Sequence, residues 1–233
     1  MYESQTVMEP AQPRTSVRPS RERGSGKLFM QYGCGLRAPS SWTNFDASPS
    51  LVAQRIPVIG GLLRRMLKAP QFPSAANYGD IVKGLALASE SCSAVYCSHV
   101  LEHLSLNDCR KALQNTWTYL EEGGVFRFVL PDLECLAMAY VRNTDAQAAH
   151  RFMRDSLLGC EQRRRGLNGL LRSWLGNSEH LWMWDYKAMA TELSAVGFRE
   201  IRRAAMGDSD LPEFLEVEES SRWEGCLGIE CRR

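Results

Sequence analysis

Apolar positions along this chain gather into short compact runs separated by polar links, and the runs alternate between two periods. Leu28-Phe29-Met30-Gln31-Tyr32 reads as a short buried strand, and Trp42-Thr43-Asn44-Phe45 as a second one ending at Asp46. Asn77-Tyr78-Gly79-Asp80-Ile81 predicts a short strand and turn. Ala94-Val95-Tyr96-Cys97-Ser98 is a fourth strand, and Val125-Phe126-Arg127-Phe128-Val129-Leu130 a fifth, stopped by Pro131. Residues 198–205 and 226–231 supply two late strands. Between them, Ala112, Leu113, Thr116, Trp117 and Leu120 recur at helical spacing over 107–120, with Gly123-Gly124 expected to end that helix. Ser48-Pro49 opens a segment that Pro57 and Gly60-Gly61 break, predicting two short helical pieces. Residues 132–178 are mostly helical in pattern, and Asp185 is placed to cap a helix over 186–196 that ends at Gly197. This alternation, closed by strand, loop and strand, predicts an α/β fold: a mostly parallel seven-stranded sheet with helices on both faces.

Composition narrows the picture modestly. The 233 residues fit one domain with a substantial core, and the net charge of +1 implies no general attraction to nucleic acid. No apolar run approaches the ~20 residues of a membrane span, and residues near the N-terminus lack the apolar core of a secretion signal, so a cytoplasmic protein is expected. Residues 1–26, rich in Pro, Ser, Arg and Glu, read as a disordered tail before a domain at 27–233. Arg14, Arg18, Arg21 and Arg23 in that tail are either solvated or available to an acidic partner. The eight cysteines form no CxxC pair and are expected as buried, reduced thiols; no metal site is expected.

The candidate chemistry begins at Gly33-Cys34-Gly35, where a glycine turn after the first strand lets backbone approach a ligand. The following Leu36-Arg37-Ala38-Pro39 lacks the third glycine of a dinucleotide fingerprint, which argues against a nicotinamide-dependent oxidoreductase. A carboxylate ending the second strand can accept both hydroxyls of a ribose, and Asp46 stands there, unless it is a plain turn residue. Only eleven positions separate Gly35 from Asp46, so a shortened helix or an open loop must connect the strands.

The ordered set Gly33-Cys-Gly35, Trp42-x-Asn44-x-Asp46-x-Ser48-Pro49, Asp80-Ile81, Ser98-His-Val-Leu-Glu-His-Leu104 and Gly123-Gly-Val-Phe-Arg-Phe-Val-Leu-Pro-Asp132 resembles class I S-adenosylmethionine-dependent methyltransferases. Within them it is similar to the bacterial type 11 methyltransferase-domain proteins, many without an assigned substrate. The likeness extends to His180-Leu-Trp-Met-Trp-Asp-Tyr186 and Leu227-Gly-Ile-Glu230. It implies a Rossmann-like fold with S-adenosyl-L-methionine as cofactor. Gly33, Cys34 and Gly35 would line its methionine and ribose portion, and Asp46 with Ala47 would hold the ribose. Asp80 and Ile81 would meet the adenine, and Ser98 and His99 the methionine end. Residues 132–184 would be an insertion covering the substrate.

Among the histidines, His99 and His180 are the catalytic candidates, because a hydroxyl acceptor needs a base of near-neutral pKa. His103 reads instead as a packed helix residue and His150 as a surface one. Trp182, Trp184, Asp185 and Tyr186 either wall a pocket or are core and cap. Arg163, Arg164 and Arg165 are either a solvated face or a grip on an anionic acceptor, and the arginine-bearing apolar segment 51–68 either packs on the sheet or touches a lipid surface. The expected acceptor is a small molecule, a saccharide or a lipid-linked precursor, and the chain a monomer or weak dimer. A non-catalytic methyltransferase-like binding or scaffold protein is the competing reading.

Overall fold

A computed structural model describes residues 27–55, 71–161 and 179–233. The expected tail, the arginines 163–165 and most of the segment 51–68 lie outside these residues. Seven strands form one sheet in the order β3-β2-β1-β4-β5-β7-β6. They are β1 (Phe29–Tyr32), β2 (Thr43–Asp46), β3 (Ala76–Tyr78), β4 (Cys92–Ser98), β5 (Leu120–Pro131), β6 (Arg199–Ala204) and β7 (Cys226–Arg232). All pairings are parallel except those of β7, which runs antiparallel to both β5 and β6. The helices are α1 (Pro49–Gln54), α2 (Leu106–Tyr119), α3 (Leu133–Arg142), α4 (Ala148–Asp155), α5 (Tyr186–Val196) and α6 (Ser220–Trp223), with 3₁₀ turns at Leu101–His103 and Pro212–Glu216. The order reverses between β1 and β4, the place where open α/β sheets leave a crevice at their carboxyl ends.

The period-2 alternation of the central strands decides how each face is covered. Met30, Tyr32, Val95, Cys97, Phe126, Phe128 and Leu130 point to one side, where Cys109, Ala112 and Leu113 of α2 and Met189 and Leu193 of α5 complete the main core. Both helices start at side-chain caps: Ser105 Oγ accepts from the Asp108 N–H, and Asp185 from the Ala188 N–H. The α5 helix ends, as its sequence predicts, on Gly197 in a left-handed conformation with φ 116°. On the opposite side, Ala94, Tyr96 and Val125 meet Trp42, Phe214, Val217 and Trp223. That face is thus closed by the short turns of the β6–β7 connection.

The missing helix between β1 and β2 is replaced by an open loop held from within. The buried Gln31 amide donates to the Arg37 carbonyl (2.7 Å) and to Asn44 Oδ1 (2.6 Å). Asn44 in turn donates to the Pro39 and Trp42 carbonyls at 2.9 and 2.8 Å. The loop is also tied outward, Arg37 donating to the Glu216 carbonyl at 2.7 Å. Asn44→Ala strips this loop of its anchor and removes its buried hydrogen bonds with the Gln31 amide and the Trp42 carbonyl, for an expected loss of about 2 kcal/mol in urea unfolding. An unchanged unfolding midpoint would show that the loop holds itself.

Two sequence expectations are corrected, and one open alternative is resolved. The α2 helix passes directly into β5 at Leu120, whose extended φ and ψ (−69° and 138°) end it. Gly123, φ 75°, lies inside the β5 span near a register irregularity with β4, and does not cap the helix. Of the two readings of Trp182 to Tyr186, core and cap holds: Trp184 is buried, Tyr186 packs against the core and Asp185 caps α5, while Trp182 is exposed. Of the eight cysteines, Cys34, Cys92, Cys97, Cys109 and Cys231 are buried and Cys226 half-buried, but Cys135 and Cys160 are exposed. Cys135 belongs to α3, a helix with no buried residue, so the apolar pattern around it does not face the core.

Candidate cofactor and acceptor site

A cavity of about 420 Å³ opens where β1 to β4 end. Tyr32 and Gly33 follow β1, Asp46 to Pro49 follow β2, Gly79 to Ile81 follow β3, and Ser98 to Val100 follow β4. Parallel strands leave their carboxyl ends on one edge, so four separate stretches of sequence converge there. His103, Leu104 and Arg222 complete the lining from the far side.

Asp46 is the best-held group in this wall. Its side chain is buried, Oδ2 accepts from the Gly35 N–H at 2.9 Å, and Oδ1 accepts from the Ser48 N–H at 2.8 Å. Each oxygen keeps a second lone-pair direction, so the carboxylate is oriented without being saturated. Gly33 has φ 68°, and a Cβ there would sit 2.2 Å from Val100, so only glycine lets β1 turn under the β4 loop. Asp80 accepts from the Val82 N–H at 3.0 Å and pairs with the exposed Lys83 at 3.0 Å.

His99 follows β4 in a left-handed conformation, φ 53°, and lines the cavity. The backbone N–H donates to the Val129 carbonyl at 2.9 Å. The ring meets Ser98 Oγ at 3.2 Å through Nδ1 and Cys226 Sγ at 3.6 Å through Nε2. Burial first, then the positive charge of Arg222 and the neighbouring His103 and His180, push its pKa down to about 4. The expectation of a base titrating near neutrality does not fit this environment: His99 is a neutral hydrogen-bonding ring at physiological pH. Its ring signals in NMR are expected to stay fixed between pH 8 and pH 5; an inflection above pH 6 would contradict that.

Of the residues singled out by sequence, Gly33, Asp46, Ala47, Asp80, Ile81, Ser98 and His99 share the cavity. Cys34 does not line it: the side chain packs with Leu51, Phe72 and Ala76, and burial, then Asp46, push the thiol up to about 12. Gly35 acts one step back, as the donor that orients Asp46. His180 also lies outside the lining and reaches it through His103, ring centroids 5.0 Å apart. His103, read as a packed helix residue, lines the cavity instead, because residues 101–103 form a 3₁₀ turn and not a helix face. Arg222 had no local signal at all; the β6–β7 connection brings it in from the far end of the chain.

The sheet order, the single antiparallel strand and a cofactor-sized cavity at the reversal define a Rossmann-like methyltransferase fold. Residues 27–202 match the model of a family described as "Methyltransferase domain". The chain belongs to this methyltransferase family, in agreement with the class I S-adenosylmethionine-dependent resemblance of its motifs. No curated protein matches the sequence significantly. Among solved structures, it is similar to an S-adenosylmethionine-dependent methyltransferase from Archaeoglobus fulgidus, with 12% identity, TM-score 0.47, and coverage of 90% of this chain and 87% of the other. A second, from Mesorhizobium loti, shares 18% identity with TM-score 0.44 and covers 88% and 90%. A third, a possible histamine N-methyltransferase from Thermotoga maritima, has 12% identity, TM-score 0.46 and coverage of 89% and 82%.

Proposed function

We propose that the cavity binds S-adenosyl-L-methionine and that the chain methylates a small molecule, or a saccharide or lipid-linked precursor, entering from the side of His99, His103 and Arg222. The observation that carries this reading is Asp46, a buried carboxylate with both oxygens pre-aimed and each able to accept one further hydrogen bond. That donor deficit fits a vicinal diol such as the ribose hydroxyls. Gly33 backbone and Asp80 with Ile81 flank it, where they would hold the methionine portion and the adenine. When bound, the cofactor supplies a methyl group on a positively charged sulfur.

What the chain contributes is mainly position, which can be worth several kcal/mol, up to ~7–11 in favourable model reactions. The acceptor side is framed by His99, a neutral ring that donates or accepts but stores no proton, and by Arg222. Arg222 has no carboxylate within ion-pairing distance among the described residues, which favours an acceptor bearing an acidic group. Residues 132–184 leave and rejoin the sheet at one point, Asp132 bridging Trp184 with the Leu133 N–H donating to the Trp184 carbonyl at 2.9 Å. An excursion pinned at its base supports the reading of this segment as a cover over the acceptor.

Calorimetric titration of the full chain with S-adenosylmethionine and with S-adenosylhomocysteine tests the proposal. Saturable binding near one equivalent is expected. A folded sample that binds neither sinks it.

A further inference from the structure

Glu102 is wholly buried, and neither of its carboxylate oxygens has a hydrogen-bond partner among the described residues. A carboxyl group buried without partners is costly, and native structures seldom leave both oxygens bare. Two imidazoles stand beside it. One ligand atom each from Glu102, His103 and His180 lie within 4.8 Å of one another.

The orientation of the rings is more telling than their proximity. His103 Nδ1 lies 3.0 Å from the Glu179 carbonyl, and His180 Nδ1 lies 2.7 Å from the Ser156 carbonyl. A carbonyl only accepts, so in both rings Nδ1 carries the proton and Nε2 is left with a free lone pair. Backbone carbonyls holding Nδ1–H are the outer-shell arrangement that fixes metal-ligating histidines. The backbone also fastens the two chain segments together: the Glu102 carbonyl accepts from the Leu181 and Trp182 N–H groups at 2.8 and 3.2 Å. That contact sets His180 beside Glu102 although 78 positions of sequence separate them.

We propose that Glu102, His103 and His180 form a site for a divalent transition-metal ion at the acceptor end of the cavity. Two imidazole nitrogens and one carboxylate oxygen favour zinc, cobalt, iron or manganese over magnesium or calcium. Tetrahedral bonds of ~2.1 Å want ligand atoms ~3.4 Å apart, so the ion draws the three groups inward by about 1 Å. Because His103 lines the cavity, the ion's remaining position faces it, open to a water or to an acceptor oxygen. The site is independent of the cofactor reading, since none of its three side chains serves the proposed cofactor contacts.

Zinc and cobalt are the probes. Untagged full-length protein is stripped with a chelator, dialysed against limiting zinc, and its metal content measured; a parallel sample is titrated with cobalt and followed by visible absorption. About one ion per chain is expected, with the intense visible bands of four-coordinate cobalt. Glu102→Gln and His180→Gln should each weaken binding by ~100-fold or more, and His150→Gln, on the exposed face of α4, should leave it unchanged. His103→Gln, at a less buried position, serves if either of the first two fails to fold by circular dichroism. No stoichiometric ion in the parent protein, or one that a folded ligand variant retains at full affinity, overturns the proposal. Binding of S-adenosylmethionine to the metal-free protein is a separate measurement, so the two readings fail separately.

Discussion

Replacing Asp46 by alanine is expected to raise the Kd for S-adenosylmethionine by about 100-fold or more, the largest effect on ligand binding of any single change in the cavity. Two hydrogen bonds to a charged acceptor are worth roughly 1.5–3 kcal/mol each, and 1.4 kcal/mol is about tenfold in affinity. The fold should tolerate the change, since the Asp46 side chain makes only two backbone tethers among the described residues, from Gly35 and Ser48. A stability loss of about 1 kcal/mol follows from those. Asp80→Ala makes the contrast. Its carboxylate would give the adenine a single hydrogen bond where Asp46 gives the ribose two, so a loss nearer tenfold is expected. Calorimetry on the three proteins settles the ranking. An Asp46→Ala protein that is folded and binds as tightly as the parent would remove the ribose assignment.

The place of Asp46 at the end of β2, in the cavity wall, is legible because its signal is local: an apolar run, then a carboxylate, then Ser-Pro. The same holds for the Asp185 cap and the Gly197 stop, where a helix end is written within a few residues. Strand β1 is legible as a compact apolar run ending at a glycine turn, and the crowded interval before Asp46 implies that no full helix fits there, as the open loop shows. What sequence could not supply was partnership at a distance. Glu102 and His103 stood in a recognised motif, yet nothing local says that His180 completes them, because two backbone hydrogen bonds to the Glu102 carbonyl make that meeting. Arg222 reaches the cavity from the β6–β7 connection for the same reason. Gly123-Gly124 failed in the opposite way: a good helix stop by composition was used inside a strand, once Leu120 had already turned extended.

Arg127 is the clearest case of a residue whose local pattern misleads, and its loss should produce the largest fall in stability. In Val-Phe-Arg-Phe-Val it looks like the solvent-facing position of a strand. It is instead wholly buried on the sheet face covered by residues 205–225, its guanidinium 4.7 Å from the Trp223 ring. Nε donates to Glu218 at 2.5 Å, and Nη1 to Asp208 and Glu230 at 2.8 and 3.0 Å. Nη2 donates to the Ala205 carbonyl at 2.5 Å. Removing one partner of a buried ionic group costs about 3–5 kcal/mol, because the carboxylates left behind are uncompensated. Arg127→Leu is therefore expected to lower the unfolding free energy by that amount in guanidinium titrations. The carboxylates are not equally stranded. Glu230 and Asp208 keep Arg202 at 2.7 and 2.8 Å, whereas Glu218 keeps, among the described residues, only the Gly207 N–H at 2.9 Å. Adding Glu218→Leu to Arg127→Leu should thus recover part of the loss, since an apolar replacement for a whole ion pair is often neutral. Acid should act on the same cluster. Burial alone would raise the Asp208 carboxyl, but hydrogen bonds from Arg202, the Ala205 N–H and Arg127 hold it down at about 2. Its folded pKa lies below the ordinary carboxylate value, so the stability it adds is complete above that value and is lost as pH falls toward 2. In Arg127→Leu this acid dependence should shrink. A double variant as unstable as the two single losses summed would show that Arg127 and Glu218 act independently, and that the cluster holds the β6–β7 connection to the sheet by packing instead of charge.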